Sequence, residues 1–409
     1  MLIGYNTSNV NAEVLRKYLK SIGVAGLTAM PKDEMIKTIN HKIYNREITK
    51  NEIKELLEIW NRQGWKKILF KKFDDNYFNE LRSIENCDEI FSKLLVSKSI
   101  PNILSFRSDL DVDLHLYNKQ MIMNEINEVT FIRLEFVKIL QTVETKVDVE
   151  PKRVVLPIGI YFDIENSEIT IRVQAKDKLE SIKSNRTTDV NTAIDIYNYV
   201  LNNTKLDGTY TVKQDEKLKE TMTTLHNDLT ELPESDISRV GEVSDTVDKF
   251  INELFLEMGH VEDETYFNYP DVKRNISNIK TKINNVLLYS IVQNFNIADV
   301  ERIKKSKFAY INLCDATGSN KSKIRQISPC HEPIQATPEY HSIESAFNSD
   351  QNSDFVDREQ INWFKDANKE FVVQTKVKHI PGFIRIDFKG HAYEEEIQNV
   401  LQRIRSYFE

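Results

Sequence analysis

Residues 11–44 read NAEVLRKYLKSIGVAGLTAMPKDEMIKTINHKIY, and their pattern predicts two short helices joined by an extended link. Leu15, Leu19 and Ile22 recur at intervals of four and three residues, which places them on one face of the first helix. Gly23 then stands where a helix commonly ends in a left-handed residue. The first helix is therefore expected to bury one apolar face and to stop at this glycine.

The boundaries of the two helices also follow from residue types. Asn11 suits the N-cap of the first helix, because its side chain accepts a hydrogen bond from an unpaired backbone N–H. Pro31 suits the first turn of the second helix, where its missing N–H needs no partner. Leu27 and Met30 lie in the link and are expected to fill a small core. The inner face of the second helix is expected to consist of Met35, Ile36, Ile39 and Ile43.

This arrangement resembles the SAP and helix-extension-helix modules that bind DNA. The resemblance rests on the apolar first helix, on the turn at Ile22-Gly23-Val24, on the extended link, and on Pro31-Lys32-Asp33-Glu34-Met35 at the start of the second helix. It implies that a set of cations contacts the DNA phosphates. These cations are Arg16, Lys17, Lys20, Lys32 and Lys37.

Charge is distributed unevenly along the chain. Residues 1–72 contain 14 Lys or Arg and 7 Asp or Glu, a surplus of seven positive charges. The whole chain contains 55 basic and 63 acidic residues, so the remainder carries a net charge of −15. Such asymmetry indicates nucleic-acid contact by the basic end. The alternative is a helical hairpin that docks on the rest of the protein or on a partner, with its lysines serving solubility.

A hairpin in the middle of the chain carries the principal catalytic candidates. Residues 154–163 and 169–175 are predicted strands joined by a turn of suitable length and chemistry. Asp163, followed by Gln174 and Lys176, resembles the core of PD-(D/E)xK nucleases in the variant with Gln before Lys, as in type IV restriction nucleases. The resemblance implies a Mg²⁺-dependent nuclease in which Asp163 holds the metal, the Gln174 carbonyl assists, and Lys176 activates water or stabilises the developing charge.

Weaker patterns leave other possibilities open. The hairpin can also be purely structural, because Gln374-Thr375-Lys376 repeats the same pattern. Alternating aspartates in residues 108–116 resemble the metal-binding strand of nucleotidyltransferases, or form a solvated strand face. Zinc is considered for Cys314, Cys330, His331 and His341, but the chain has no C-x-x-C pair. No cofactor other than the magnesium of the nuclease hypothesis is expected.

Composition indicates an ordinary globular chain, with 409 residues, 40% hydrophobic and 29% charged. No apolar run reaches the roughly 18 residues that a membrane span needs, and the start of the chain lacks the pattern of a secretory signal. Three cysteines are too few for a disulfide framework. A cytoplasmic protein without a membrane partner is therefore expected.

Together these patterns predict a multi-domain α+β protein. A small helical N-terminal module (1–72) precedes helices and an antiparallel β region (73–180), an acidic helical middle (181–305), and an α/β region that ends in a β-hairpin plus helix (306–409). Residues 315–360 are expected to be polar and rich in loops. The leading hypothesis is DNA binding through the module, with the other domains serving assembly. The alternatives are the Mg²⁺-dependent nuclease and a non-catalytic scaffold that binds a protein partner or forms a homo-oligomer.

Overall fold

The computed structural model describes residues 12–408, except 63–65, 75–76, 97–113, 143–152, 175–178, 181–185, 205, 207–210, 260–268, 318–322 and 342–354. It confirms the mixed α+β class. The chain forms two compact units. Unit 1 comprises residues 1–214 and 382–399, and unit 2 comprises residues 215–381 and 400–409.

Helices and strands alternate in blocks along the chain. The helices are α1 (Ala12–Ser21), α2 (Lys32–Tyr44), α3 (Lys50–Arg62), α4 (Ile84–Ile90), α5 (Asp189–Thr204), α6 (Val212–Thr230), α7 (Glu234–Gly259), α8 (Pro270–Val292), α9 (Ile297–Ser306) and α10 (Glu394–Arg405). The strands are β1 (Lys66–Lys72), β2 (Leu114–Met123), β3 (Val129–Thr142), β4 (Arg153–Asp163), β5 (Glu168–Gln174), β6 (Leu179–Glu180), β7 (Arg186–Thr187), β8 (Ala309–Thr317), β9 (Lys323–Ile327), β10 (Phe355–Phe364), β11 (Val372–Ile380) and β12 (Phe383–Phe388).

Unit 1 is built on an antiparallel sheet with the strand order β7-β6-β3-β4-β5-β1-β12. Strand β3 is 14 residues long, so one of its edges pairs with both β2 and β6 while the other pairs with β4. Nearly every residue of β4 is buried, which shows that both faces of the sheet are covered. On one face, Phe162 contacts the rings of Phe78 and Phe91. The helices α1, α2 and α3, which together form the head, pack on the opposite face.

The predicted helix-link-helix pattern of the head is confirmed. Gly23 has a left-handed φ of 79°, and the N–H groups of Gly23 and Val24 donate to the carbonyls of Lys20 and Leu19 at 3.1 and 2.9 Å. This pair of bonds closes the end of α1. The predicted core residues Leu15, Leu19, Leu27, Met35, Ile36 and Ile39 are buried, while Ile22, Met30 and Ile43 pack beside them.

Two details at the helix ends differ from expectation or fall outside the described residues. Pro31 is the N-cap of α2, and the helix begins one residue later, at Lys32. The proposed cap Asn11 lies outside the described residues.

The head does not stand apart as the predicted module 1–72. Ile53 and Leu57 of α3 share one hydrophobic core with Val137, Ile139 and Val155 of the sheet. Strand β1, which forms the end of the predicted module, lies inside the sheet between β5 and β12. Head and sheet are therefore parts of the same compact unit.

Unit 2 contains a second set of antiparallel pairings, in the order β9-β8-β10-β11, together with helices α7, α8, α9 and most of α6. A core of Leu232, Val292, Ile303 and Ala336 joins α8 and α9 to the segment between α6 and α7. The loop-rich character expected for residues 315–360 is wrong in part, because β9 and β10 lie there. Strand β10 was missed because Glu359, Gln360 and Asn362 are buried in it, so its apolar pattern is interrupted.

Among the described residues, no helix is both long enough and apolar enough to cross a membrane.

Candidate functional site

Two of the five predicted DNA-binding cations, Lys20 and Lys37, are exposed on the outer face of the head. Lys20 lies in the last turn of α1, and Lys37 lies in α2. Both side chains are exposed, and within the described part of the chain neither forms an ion pair. Their neighbours Leu19 and Ile36 point inward and are buried. Packing of the apolar face therefore turns these two lysines towards solvent.

The other three predicted cations form hydrogen bonds within the protein or are partly buried. Arg16 Nε donates to the Leu27 carbonyl at 3.1 Å, which holds the link against α1. Lys17 bonds to the Tyr393 hydroxyl, and this hydrogen bond raises the pKa of the lysine. Lys32 is half-buried, and this burial lowers its pKa.

The basic run of β1 contributes to the structure rather than to the surface. Lys67 Nζ lies 2.6 Å from Asp189 Oδ2, and Lys72 Nζ donates to the Asn166 carbonyl at 2.5 Å. Lys71 is only 2% exposed, and its ammonium lies 4.6 Å from the centre of the Phe73 ring. Residues 12–50 still contain eight basic and four acidic residues. Part of the positive charge of residues 1–72 therefore belongs to lysines of β1 that bond within the protein, and part lies on the head.

A cavity of about 290 Å³, here called the arginine pocket, lies between α3, the sheet and α10. Strand pairing sets Arg133 opposite Tyr161 and Arg172 opposite Gly159, so these side chains share the face that the head covers. A Cβ at position 159 would lie 2.7 Å from the Tyr161 ring, so glycine leaves the ring its space. The lining consists of Ile59, Phe131, Arg133, Tyr161, Arg172, Glu394 and Gln398.

Two guanidinium groups lie beside one aromatic ring in this pocket. The Cζ atoms of Arg172 and Arg133 are 4.8 and 5.6 Å from the centre of the Tyr161 ring. Arg172 also donates to Glu394 Oε2 at 2.6 Å. The Nε atoms of both arginines are buried without a hydrogen-bond partner among the described residues. This arrangement suits an anionic or planar group, because arginine binds anions and stacks on rings.

The charge balance of the pocket is positive. Burial by itself raises the pKa of the Glu394 carboxyl, but the charge and hydrogen bond of Arg172, with help from Gln398 and Arg133, bring the pKa below its usual value. Glu394 is therefore an anion at neutral pH, and among the residues that line the pocket two arginines against one carboxylate leave one positive charge.

The pocket was not found from the sequence. Its two arginines belong to strands that are far apart in the chain and meet only through pairing with β4. One signal was present, since Ile132-Arg133-Leu134 and Ile171-Arg172-Val173 each place an arginine inside an apolar strand. A charge at such a position requires a specific partner or a binding role.

The two predicted nuclease residues that the structure describes, Asp163 and Gln174, lie at opposite ends of β5 and its turn. Asp163 lies at the turn of the β4–β5 hairpin, where Oδ1 and Oδ2 accept from the Asn166 side chain at 3.0 and 2.9 Å. Gln174 lies at the other end of β5, six residues beyond Glu168, which pairs with Asp163. This separation is roughly 20 Å along a strand, too far to share a metal ion. Lys176 lies outside the described residues, as do the alternating aspartates at 109, 111 and 113.

Comparison of the chain with protein-family models gives no match, and comparison with curated proteins gives none either. Functional conclusions about this chain therefore depend on its own residues and their arrangement.

Proposed function

We propose that the protein binds DNA through the outer face of the head, with the remaining elements supporting that surface and its assembly. The observation that carries this proposal is the exposure of Lys20 and Lys37 on a helix-link-helix unit whose opposite face is buried. Cations held at fixed positions on a packed scaffold contact phosphates without reading the base sequence. The proposal therefore implies DNA binding that depends only weakly on the base sequence.

The first prediction concerns the dependence of this binding on salt. The double variant Lys20→Glu/Lys37→Glu is expected to bind duplex DNA more weakly and with a shallower salt dependence. Each lost phosphate contact lowers the slope of log K against log[salt] by about 0.9, so a reduction of about 1.8 is expected. Gel shifts over a series of salt concentrations measure this slope.

A matched control separates a local contact from a change in net charge. Lys217→Glu/Lys249→Glu changes the charge equally at two exposed lysines of unit 2 and is expected to leave the slope near that of the parent protein. Equal weakening by both double variants would contradict the assignment to the head. Affinity that does not change with salt in the parent protein would favour the alternative in which the head docks on a protein.

The arginine pocket is proposed as a second contact, for single strands. The two arginines beside the Tyr161 ring and the volume of the cavity suit a nucleotide whose base is unpaired, because aromatic and guanidinium surfaces both stack on bases. The wall formed by Ile59 belongs to α3, so the pocket lies in the same unit as the head.

A single substitution in the arginine pocket tests this second contact. Arg133→Gln removes one charge but keeps a hydrogen-bonding side chain, and is expected to lower the salt slope for single-stranded DNA by about 0.7. The measurement is fluorescence anisotropy of a labelled oligonucleotide. Arg153→Gln, at an exposed position in β4 outside the pocket, is the control and is expected to have a smaller effect. An unchanged slope for Arg133→Gln would remove the pocket from the DNA contact.

A further inference from the structure

A separate cluster of chemically active side chains lies in unit 2 and has no part in the proposed DNA contact. Cys314 on β8 and Glu359 on β10 are directly opposite each other in the strand register. Such cross-strand neighbours share a face of the sheet and lie close together. His226 on α6 completes the cluster, and donor atoms of the three residues all lie within 4.8 Å of one another.

All three groups are removed from solvent. Cys314 and Glu359 have no exposed surface, and His226 is 6% exposed. His226 Nδ1 lies 2.5 Å from Glu359 Oε1, but Glu359 Oε2 is buried without a hydrogen-bond partner among the described residues. An unpaired buried carboxylate oxygen costs free energy that a cation would recover.

The hydrogen bond between His226 and Tyr340 also supports a metal site. His226 Nε2 lies 3.0 Å from the Tyr340 hydroxyl, so the hydroxyl oxygen can accept a hydrogen bond from Nε2–H, which leaves Nδ1, the atom beside Glu359, to bind a metal. A histidine that binds a metal commonly donates its other ring N–H to an oxygen atom, which fixes the ring.

We propose that His226 Nδ1, Cys314 Sγ and a carboxylate oxygen of Glu359 bind a Zn²⁺ ion, with Tyr340 positioning the histidine. One nitrogen, one sulfur and one oxygen form a donor set typical of zinc, and magnesium or calcium would require oxygen ligands instead. The fourth tetrahedral position belongs to water or another small ligand. The ion would link α6 to β8 and β10.

The geometry needs only a small adjustment. Ligand atoms at 2.0–2.3 Å from a tetrahedral zinc ion are roughly 3.3–3.7 Å apart. The Nδ1 to Oε1 distance of 2.5 Å therefore has to open by about 1 Å, and any separation in the cluster that approaches 4.8 Å has to close by about 1 Å. Binding displaces the proton between His226 and Glu359 and the proton of the thiol, and both are released to solvent. No oxidation or reduction takes place.

The test uses the full-length protein after treatment with a chelator, titrated with Co²⁺ and then with Zn²⁺. We expect one equivalent of Co²⁺ to bind and to give a near-ultraviolet absorption band from thiolate-to-cobalt charge transfer, which one equivalent of Zn²⁺ removes. Cys314→Ser is expected to abolish the band. Cys87→Ser, at a buried cysteine of unit 1, is the matched control and is expected to retain it.

A further variant tests the role of Tyr340. Tyr340→Phe keeps the ring but removes the acceptor for His226 Nε2–H, and is expected to weaken zinc affinity by roughly 10–100-fold. No uptake of Co²⁺ or Zn²⁺ by the parent protein would overturn the proposal and leave a metal-free hydrogen-bonded cluster. A band that persists in Cys314→Ser would overturn it as well.

A measurement on the parent protein covers the case in which Cys314→Ser does not fold. Alkylation of the cysteines in moderate urea, followed by mass spectrometry, is expected to slow at Cys314 when Zn²⁺ is present and to remain unchanged at Cys87. Equal rates with and without Zn²⁺ at Cys314 would count against the site.

Discussion

Replacing Trp363 by alanine is expected to lower the free energy of unfolding by about 3–5 kcal/mol, the range found when large aromatic side chains are removed from cores. Trp363 is 1% exposed in β10 and is among the largest fully buried side chains of the described residues. Its Nε1–H donates to Thr375 Oγ1 at 2.7 Å on the neighbouring strand, and its ring stacks on Phe308 with centres 6.2 Å apart. The variant loses burial, the stacked contact and a buried hydrogen bond together.

Urea unfolding followed by far-ultraviolet circular dichroism measures this change without relying on tryptophan fluorescence. Ile297→Ala is the control, because Ile297 is 85% exposed and its truncation is expected to change stability by no more than about 0.5 kcal/mol. A loss below about 1 kcal/mol for Trp363→Ala would contradict the burial of this residue and the position of β10 in the sheet of unit 2.

Strand β10 also shows where sequence reasoning fails. The head was predicted well because its apolar residues repeat with helical spacing and Gly23 marks the end of α1. In β10, by contrast, Glu359, Gln360 and Asn362 are buried and bonded to distant residues, so the strand reads as polar. A polar residue is buried in a core when it forms hydrogen bonds there. Its hydrogen-bond partners are distant in sequence, so the residues next to it in the chain do not reveal them.

The same reason limits prediction of the sites. Cys314 was considered as a zinc ligand, but with Cys330, His331 and His341 as its companions. In the structure, His331 bonds to Asn312 and His341 to the Gln335 carbonyl, while His226 and Glu359 contribute to the cluster around Cys314. Those two residues reach Cys314 through helix packing and strand register, and neither has a spacing that marks it as a ligand. The arginine pocket depends on register in the same way.

Separating Lys67 from Asp189 is expected to cost about 2–4 kcal/mol of stability, somewhat below the range for fully buried ion pairs because Lys67 keeps part of its side chain in solvent. The ammonium lies 2.6 Å from Asp189 Oδ2, whose side chain is only 2% exposed. Lys67→Met leaves the carboxylate buried beside an apolar chain, and Asp189→Ala leaves the ammonium without that anion. Each single variant therefore retains one poorly solvated charge.

The double variant Lys67→Met/Asp189→Leu removes both charges and is expected to recover part of the loss, because apolar replacement of a buried pair is often close to neutral, whereas the hydrogen bond from the Val190 N–H to Asp189 Oδ1 is not restored. Urea unfolding of the parent, both single variants and the double variant gives the coupling free energy. Lys50→Met, at an exposed position of the head, is the control and is expected to change stability by no more than about 0.5 kcal/mol. Additive losses in the double variant would show that the two residues do not act as a pair.

The same Lys67→Met protein connects stability to function. If β1 lies inside the sheet, removal of the Lys67 charge leaves the salt slope of DNA binding unchanged, whereas Lys20→Glu/Lys37→Glu lowers it. A fall in the slope with Lys67→Met, in protein that remains folded, would place this cation on the DNA surface and contradict its pairing with Asp189. The proposal thus divides the charge surplus of residues 1–72 into two groups, because Lys67 and Lys72 of β1 bond within unit 1, whereas Lys20 of α1 and Lys37 of α2 are the cations that we propose to contact phosphates.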